Sequence, residues 1–317
     1  MTDQEVRNLL EAHLHKTLFA IENPKPSFRG KVRDIFLAKD ALYMVNTDRI
    51  SAFDRVLGTI PQKGAMLCEQ TDFWFSSSKD ICPNHVIERI DPQILVCKKA
   101  EPFKIELVVR GYLAGSLMRE DPKTRGSRYG LSLDPSLKNY QRLNQPIITP
   151  TTKAPSGEHD EPISPAEIIA KNLSSAQSWQ AMCEYALALF DRGAKKALEQ
   201  GLLLIDTKYE FGLIDGKIHV IDEMHTSDSS RFFLADDYAQ KYAKNQVPIM
   251  LDKEFLRQHL LSRGQTQASD IVLDDDIRLE VATRYCKLTE QITGQPFKLS
   301  SVGANTRVAS VLTRHIC

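Results

Sequence analysis

The sequence predicts an α+β fold, with a strand-rich lobe over 1–110 and a mixed lobe over 111–317 that ends in helices. Three observations predict it. Short runs of β-branched, aromatic and aliphatic residues dominate the N-terminal third. The segment LLLIDTKYEFGLIDGKIHVIDEM, over 202–224, has the pattern of a β-hairpin with Asp215-Gly216 at its tip. Beyond residue 236, apolar residues recur at helical spacing.

Val6, Leu9, Leu10, Leu14 and Leu18 fall on one helical face, which predicts a helix over 3–18, ended by Asn23-Pro24-Lys25-Pro26. Val32, Ile35 and Phe36, then Leu42, Met44 and Val45, read as two strands about a turn at Lys39-Asp40. A helix over 64–79 and strands over 85–90, 94–98 and 104–109 follow. Pro and Gly recur from 121 to 163, which predicts one long irregular loop, a length that in compact domains usually goes with function or disorder. Ser164-Pro165-Ala166-Glu167 is a helix start: capping serine, proline in the first turn and glutamate closing a capping box. A long helix spans 176–199 before Gly201, and another spans 274–293 before Gly294.

A chain of 317 residues, 42% hydrophobic, can build a substantial core. Lys plus Arg equal Asp plus Glu at 41 each, so there is no global pull toward nucleic acid or anionic lipid. No apolar run reaches the roughly 20 residues of a membrane helix. The N-terminus lacks the pattern of a signal peptide. The six cysteines are scattered, with no CxxC pair. A cytoplasmic protein with reduced thiols is expected, and local basic sites for a phosphorylated small molecule stay open.

Chemistry concentrates in five places. The hairpin puts Asp206, Lys208, Glu210, Asp222 and Glu223 on strands that otherwise favour burial, where charge is costly unless paired or metal-bound. A three-residue loop, Ile214-Asp215-Gly216, would set Lys208 opposite Asp222 and bring Lys208, Glu210 and Asp222 to one face, suited to Mg²⁺ and phosphate. A solvated, salt-bridged hairpin is the bland alternative. Gly30-Lys31-Val32-Arg33-Asp34 could approach phosphates or form a plain turn, and it is not a Walker A loop. With no GxxxxGK[ST] or GxGxxG in the chain, a nucleotide would need a sheet-based cradle of kinase-like or ATP-grasp-like kind. The loop from Asp48 through Arg49, Ser51 and Asp54 fits either a zwitterion or a self-capped turn. Arg110, ending an apolar strand before Gly111 and Ser116, fits an anion clamp or a structural ion pair. The run from His225 to Arg231, with Asp228 inside it, fits a sugar phosphate or a Ser-rich surface turn.

In their order along the chain, GKVRD, DRISAFD, VVRGYLAGS, TPTTKA with HDEPIS, DTKYEFG and IDEMHTSDSSR resemble the signature set of the SAICAR synthetase family, in its longer single-function form, over about residues 28–231. The resemblance implies a SAICAR synthase-like fold. It also implies ATP- and Mg²⁺-dependent ligation of CAIR (5-aminoimidazole-4-carboxylate ribonucleotide) with L-aspartate in purine biosynthesis, through an acyl phosphate. Residue by residue, it implies Gly30, Lys31, Arg33, Lys208 and Glu210 on ATP, with Lys208 and Asp222 catalytic and Glu210 and Asp222 on the metal. Arg110, Ser116, Asp228 and Arg231 would hold CAIR, and Ser51, Lys153, His159, Asp160 and Glu161 would line the aspartate side. A small-molecule kinase on a related fold, or a non-catalytic nucleotide-binding protein, is the alternative.

Overall fold

A computed structural model describes residues 2–153, 159–266, 268–299 and 303–316. Two compact units emerge: Met1–Phe73 with Val86–Lys99 and Leu251–Cys317, and Trp74–His85 with Ala100–Met250.

In the first unit, α1 (Asp3–Glu11) starts at a Thr2–Glu5 capping box. The expected helix to residue 18 stops at Glu11, and the chain turns over 12–15. Leu14 and Leu18 are nonetheless buried, so their spacing serves the core without helix beneath it. Next come β1 (Phe28–Arg29), β2 (Arg33–Leu37), β3 (Leu42–Asn46), β4 (Arg49–Ala52), β5 (Arg55–Thr59), α2 (Lys63–Ser76), β6 (Val86–Asp91) and β7 (Ile94–Cys97). An antiparallel sheet runs β1-β2-β3-β7-β6, and β4 pairs with β5 as a separate ribbon.

The second unit holds β8 (Glu101–Tyr112), β9 (Arg142–Thr152), α3 (Pro165–Ala170), α4 (Ala176–Glu199), β10 (Leu202–Ile214), β11 (Lys217–Ile221), β12 (Ser230–Leu234) and α5 (Ala235–Ala243). Its sheet runs β11-β10-β8-β9, with β12 also pairing with β10. The expected 121–163 loop therefore contains a strand. Pro146 and Pro150 argue against one in sequence, but β9 lies at the sheet edge, where a missing N–H is tolerated. The capping box at Ser164 forms as expected.

Alternation gives β8 and β10 two unlike faces. Ile105, Leu107, Val109, Ile205, Tyr209 and Phe211 are buried on one of them. Phe190 of α4 covers it so closely at Gly111 that a Cβ there would lie 3.0 Å from the ring. The other face carries Glu106, Arg110, Asp206, Lys208 and Glu210.

The chain then returns to the first unit with α6 (Glu254–Ser262), α7 (Asp275–Thr293) and α8 (Ala304–Ile316). Asp274 caps α7, and Gly294, at φ 68°, ends it. Leu256, Val281 and Tyr285 pack with Val6, Leu10, Ile50 and Met66. Val308 and Leu312 of α8 pack with Leu18, Phe36, Val45 and Ile94. The units thus divide elsewhere than at residue 110. Strand pairing draws residues 101–110 to the second sheet, and apolar packing draws 251–317 to the first unit. No helix among the described residues is long and apolar enough to cross a membrane.

Candidate active site

The hairpin tip differs from expectation. Ile214 pairs with Lys217, so Asp215 and Gly216 form a two-residue turn, at φ 49° and 72°, and Glu210 sits opposite Ile221. Left-handed backbone at both turn residues matches the right-handed twist of the flanking strands, which favours this short loop. Straight continuation would carry Asp222 to the Tyr209 face. Instead β11 ends at Ile221 and Asp222 is itself left-handed, at φ 69°. Its negative charge bears on Lys208 together with those of Glu210 and Glu106. The expected three-residue loop and its pairing of Lys208 with Asp222 are therefore not formed, and Asp222 leaves the strand through a left-handed residue.

Lys208 Nζ lies 2.6 Å from Glu106 Oε1 and 2.8 Å from Glu210 Oε1. Burial works against the ammonium, but the three carboxylates outweigh it and hold its pKa well above the ordinary value. Lys208 stays a cation. Glu210 also takes Lys153 Nζ on Oε2. Burial alone would raise Glu210, yet the charges of Lys208 and Lys153 pull it well below the ordinary range. Glu106 faces Glu210 directly across the strands. Burial pushes Glu106 up to about 7, with Lys208 opposing and the charges of Glu210 and Asp160 adding to the rise. Glu106 is the site residue that the sequence reading passed over. Its signal was present in the alternation of Lys104, Glu106 and Arg110 with buried Ile105, Leu107 and Val109.

Two residues toward the other end of the same face, Asp206 is gripped by two arginines. Arg110 Nη1 lies 2.9 Å from Asp206 Oδ2, and Arg231 Nη1 lies 3.0 and 2.9 Å from its two oxygens. Arg110 also donates to Thr149 Oγ1, to the Ala114 carbonyl and to Ser116 Oγ. Two guanidiniums against one carboxylate leave a surplus positive charge, the electrostatics of an anion site. Gly115 makes room for it: at φ 65°, a Cβ would lie 2.7 Å from Arg231 Nη1 and 2.9 Å from Arg110 Nη1. Asp228 is half-buried in the turn just before β12.

The remaining candidates fall elsewhere. Gly30, Lys31, Arg33 and Ser51 belong to the first unit. Lys31 Nζ is 2.6 Å from Asp54 Oδ1, with both side chains about half exposed (49% and 51%), so the GKVRD and DRISAFD segments touch. Buried Arg49 ties them further, donating to the carbonyls of Gly30 and Lys31 and to Asp34 Oδ1. Ser51 is buried in β4. In the second unit, His159, Asp160 and Glu161 are exposed, and the Glu161 amide donates to Thr152 Oγ1. Residues 154–158 of the expected substrate-closing segment lie outside the described residues.

Residues 27–271 match the SAICAR synthetase family. A putative phosphoribosylaminoimidazole-succinocarboxamide synthase 2 of Agrobacterium fabrum is 42% identical over 277 residues, 85% of this chain and 88% of its own. The phosphoribosylaminoimidazole-succinocarboxamide synthase of Cytophaga hutchinsonii is 41% identical over 289 residues, 90% of this chain and 93% of its own. Among solved structures, the SAICAR synthase of Saccharomyces cerevisiae complexed with SAICAR superposes with a TM-score of 0.75 at 30% identity, covering 86% of this chain and 96% of that one. A SAICAR synthetase in complex with ADP shares the fold, with a TM-score of 0.66 at 22% identity over 86% of this chain and 99% of that one. These matches make the chain an ATP-dependent ligase. It belongs to the SAICAR synthetase family.

Proposed function

We propose that the charged face of β8 and β10 performs the family's reaction, the ATP-driven ligation of CAIR with L-aspartate to SAICAR, ADP and phosphate, in a cytoplasmic setting. The observation that carries the proposal is the ammonium of Lys208, shared by Glu106 and Glu210 and drawn on by Asp222.

The chemistry explains the arrangement. A carboxylate is a poor electrophile, and its phosphorylation by ATP creates an acyl phosphate with a good leaving group. The aspartate amine then attacks the acyl carbon, and phosphate departs. Lys208, held as a cation, neutralises charge on the transferring phosphoryl oxygens. Glu210 and Asp222 would hold Mg²⁺. The donor chemistry suits that ion: Glu210 presents carboxylate oxygens to Lys208 and Lys153, the Asp222 charge bears on Lys208, and Mg²⁺ commonly takes one or two carboxylates plus phosphate oxygens. When bound, the ion screens the triphosphate. Gly30, Lys31 and Arg33 would meet the ATP phosphates. Arg110, Arg231 and Ser116 would hold the CAIR phosphate, with Asp228 on its ribose. Ser51, Lys153, His159, Asp160 and Glu161 would serve L-aspartate and exclude water from the acyl phosphate.

The test is ADP release measured with CAIR and L-aspartate supplied together and singly. Release should require both, and Lys208→Ala and Asp222→Asn should each lower turnover by about 100-fold or more while melting close to the parent protein. Release with CAIR alone, without SAICAR formation, would favour the kinase reading.

A further inference from the structure

We infer that His225, with Tyr209 as its partner, is a positioning residue that anchors the Asp222-bearing loop to the reverse side of β10. The inference rests on the reading of Asp222 given above. β11 and β12 both pair with β10, one after the other along it, and residues 222–229 bridge them. The bridging loop returns to β10 at Lys208, whose amide donates to the Ser229 carbonyl at 3.0 Å. Inside the loop, Thr226 Oγ1 donates to Glu223, and the Ser230 amide donates to the Thr226 carbonyl. Asp222 and His225 both hold left-handed backbone, at φ 69° and 51°. Such conformations cost free energy in a non-glycine residue and persist only where surroundings impose them.

The surroundings of His225 do so. Its ring is fully buried (0% exposed), and Nε2 lies 2.5 Å from the Tyr209 hydroxyl. Trp74 meets the ring edge-on at 4.8 Å. Gly193 of α4 is so close that a Cβ there would lie 2.2 Å from His225 Cε1. Burial lowers the imidazole pKa to about 3, so the ring is neutral and its bond to Tyr209 does not switch off near neutrality. Tyr209 sits between Lys208 and Glu210 in β10, and alternation points it to the opposite face. One short stretch of strand thus presents two reacting side chains on one side and grips the loop from the other. A loop anchored there cannot drift without moving Asp222, and a misplacement of about 1 Å can cost about 100-fold in rate.

The experiment compares Tyr209→Phe, His225→Leu, the double variant and Asp222→Asn with the parent, by steady-state kinetics, Mg²⁺ titration and melting. Tyr209→Phe keeps the ring and loses only the hydroxyl, so it preserves the packing. Each single variant should lower kcat about tenfold and raise the half-saturating Mg²⁺ about fivefold, while KM for L-aspartate moves less than about twofold. The double variant should match the worse single one, as expected of residues that act as a unit. Lower melting with kcat and Mg²⁺ dependence within about twofold of the parent would show mere packing and overturn the inference. If Asp222→Asn is inactive while Tyr209→Phe behaves as the parent, the anchor fails and the reading of Asp222 stands. If Asp222→Asn keeps full activity, both fail.

Discussion

Asp48 is fully buried and accepts the amides of Leu18 at 2.7 Å and Gly64 at 2.9 Å. Burial raises its pKa from 3.8 to about 6, against the pull of those amides and of the Lys63 and Arg307 charges. The folded form therefore holds this proton more tightly than the unfolded one. The stability it contributes is fully present below pH 3.8 and is lost as pH rises through about 6. In denaturant titrations at several pH values, the gap between Asp48→Asn and the parent should shift by up to about 3 kcal/mol over that window, in favour of the variant as pH rises. A pH-independent gap would contradict the assignment. Gly115 makes a second prediction at this scale. Gly115→Ala puts a methyl against two guanidiniums at a left-handed position, and it should raise KM for CAIR and cost about 1–2 kcal/mol of stability.

At the scale of elements, the hairpin tip separates folding from catalysis. A Cβ on Gly216 would meet nothing within 4 Å, so Gly216→Ala strains only the left-handed backbone. It should cost about 1 kcal/mol in a melting experiment and leave kcat unchanged. Local chemistry was legible in the sequence: the Ser164 capping box, the Asp274 and Gly294 ends of α7 and the Asp215-Gly216 tip all stand where their residues put them. What was illegible depends on partners far along the chain. The edge position that excuses Pro146 and Pro150 in β9 exists only once β8 is beside it. The hairpin string fits two turn lengths, and the left-handed backbone at Asp222 is written in no local pattern. Glu106 becomes a site residue only beside Lys208, 102 residues away. The first-unit assignments suffer likewise, since Arg49 joins GKVRD to DRISAFD through hydrogen bonds that neither motif announces alone.

At the scale of the molecule, the first unit is assembled from three separate stretches of chain, the last being Leu251–Cys317. Val308 and Leu312, both fully buried, complete the core that Phe36 and Val45 begin. Arg307 joins the same region by donating to Gln93 Oε1 at 2.9 Å, and Gln93 in turn reaches Asp48. A chain ending at residue 302 should therefore leave β2 and β3 poorly protected. Hydrogen exchange of the Arg33–Leu37 and Leu42–Asn46 amides should speed up by about tenfold or more. Parent-like protection in that truncation would show that α8 is dispensable for the core.

The two-sidedness of β10 sets where this protein tolerates length changes. A single residue inserted between Asp206 and Lys208 would flip the later side chains of the strand, pressing Lys208 and Glu210 into the apolar layer under α4 and turning Tyr209 outward. The same residue added between Asp215 and Gly216 would lengthen only an exposed tip. Labels, tethers or peptide grafts belong at that tip. Family members that differ in length should carry their extra residues there and keep the strand itself constant.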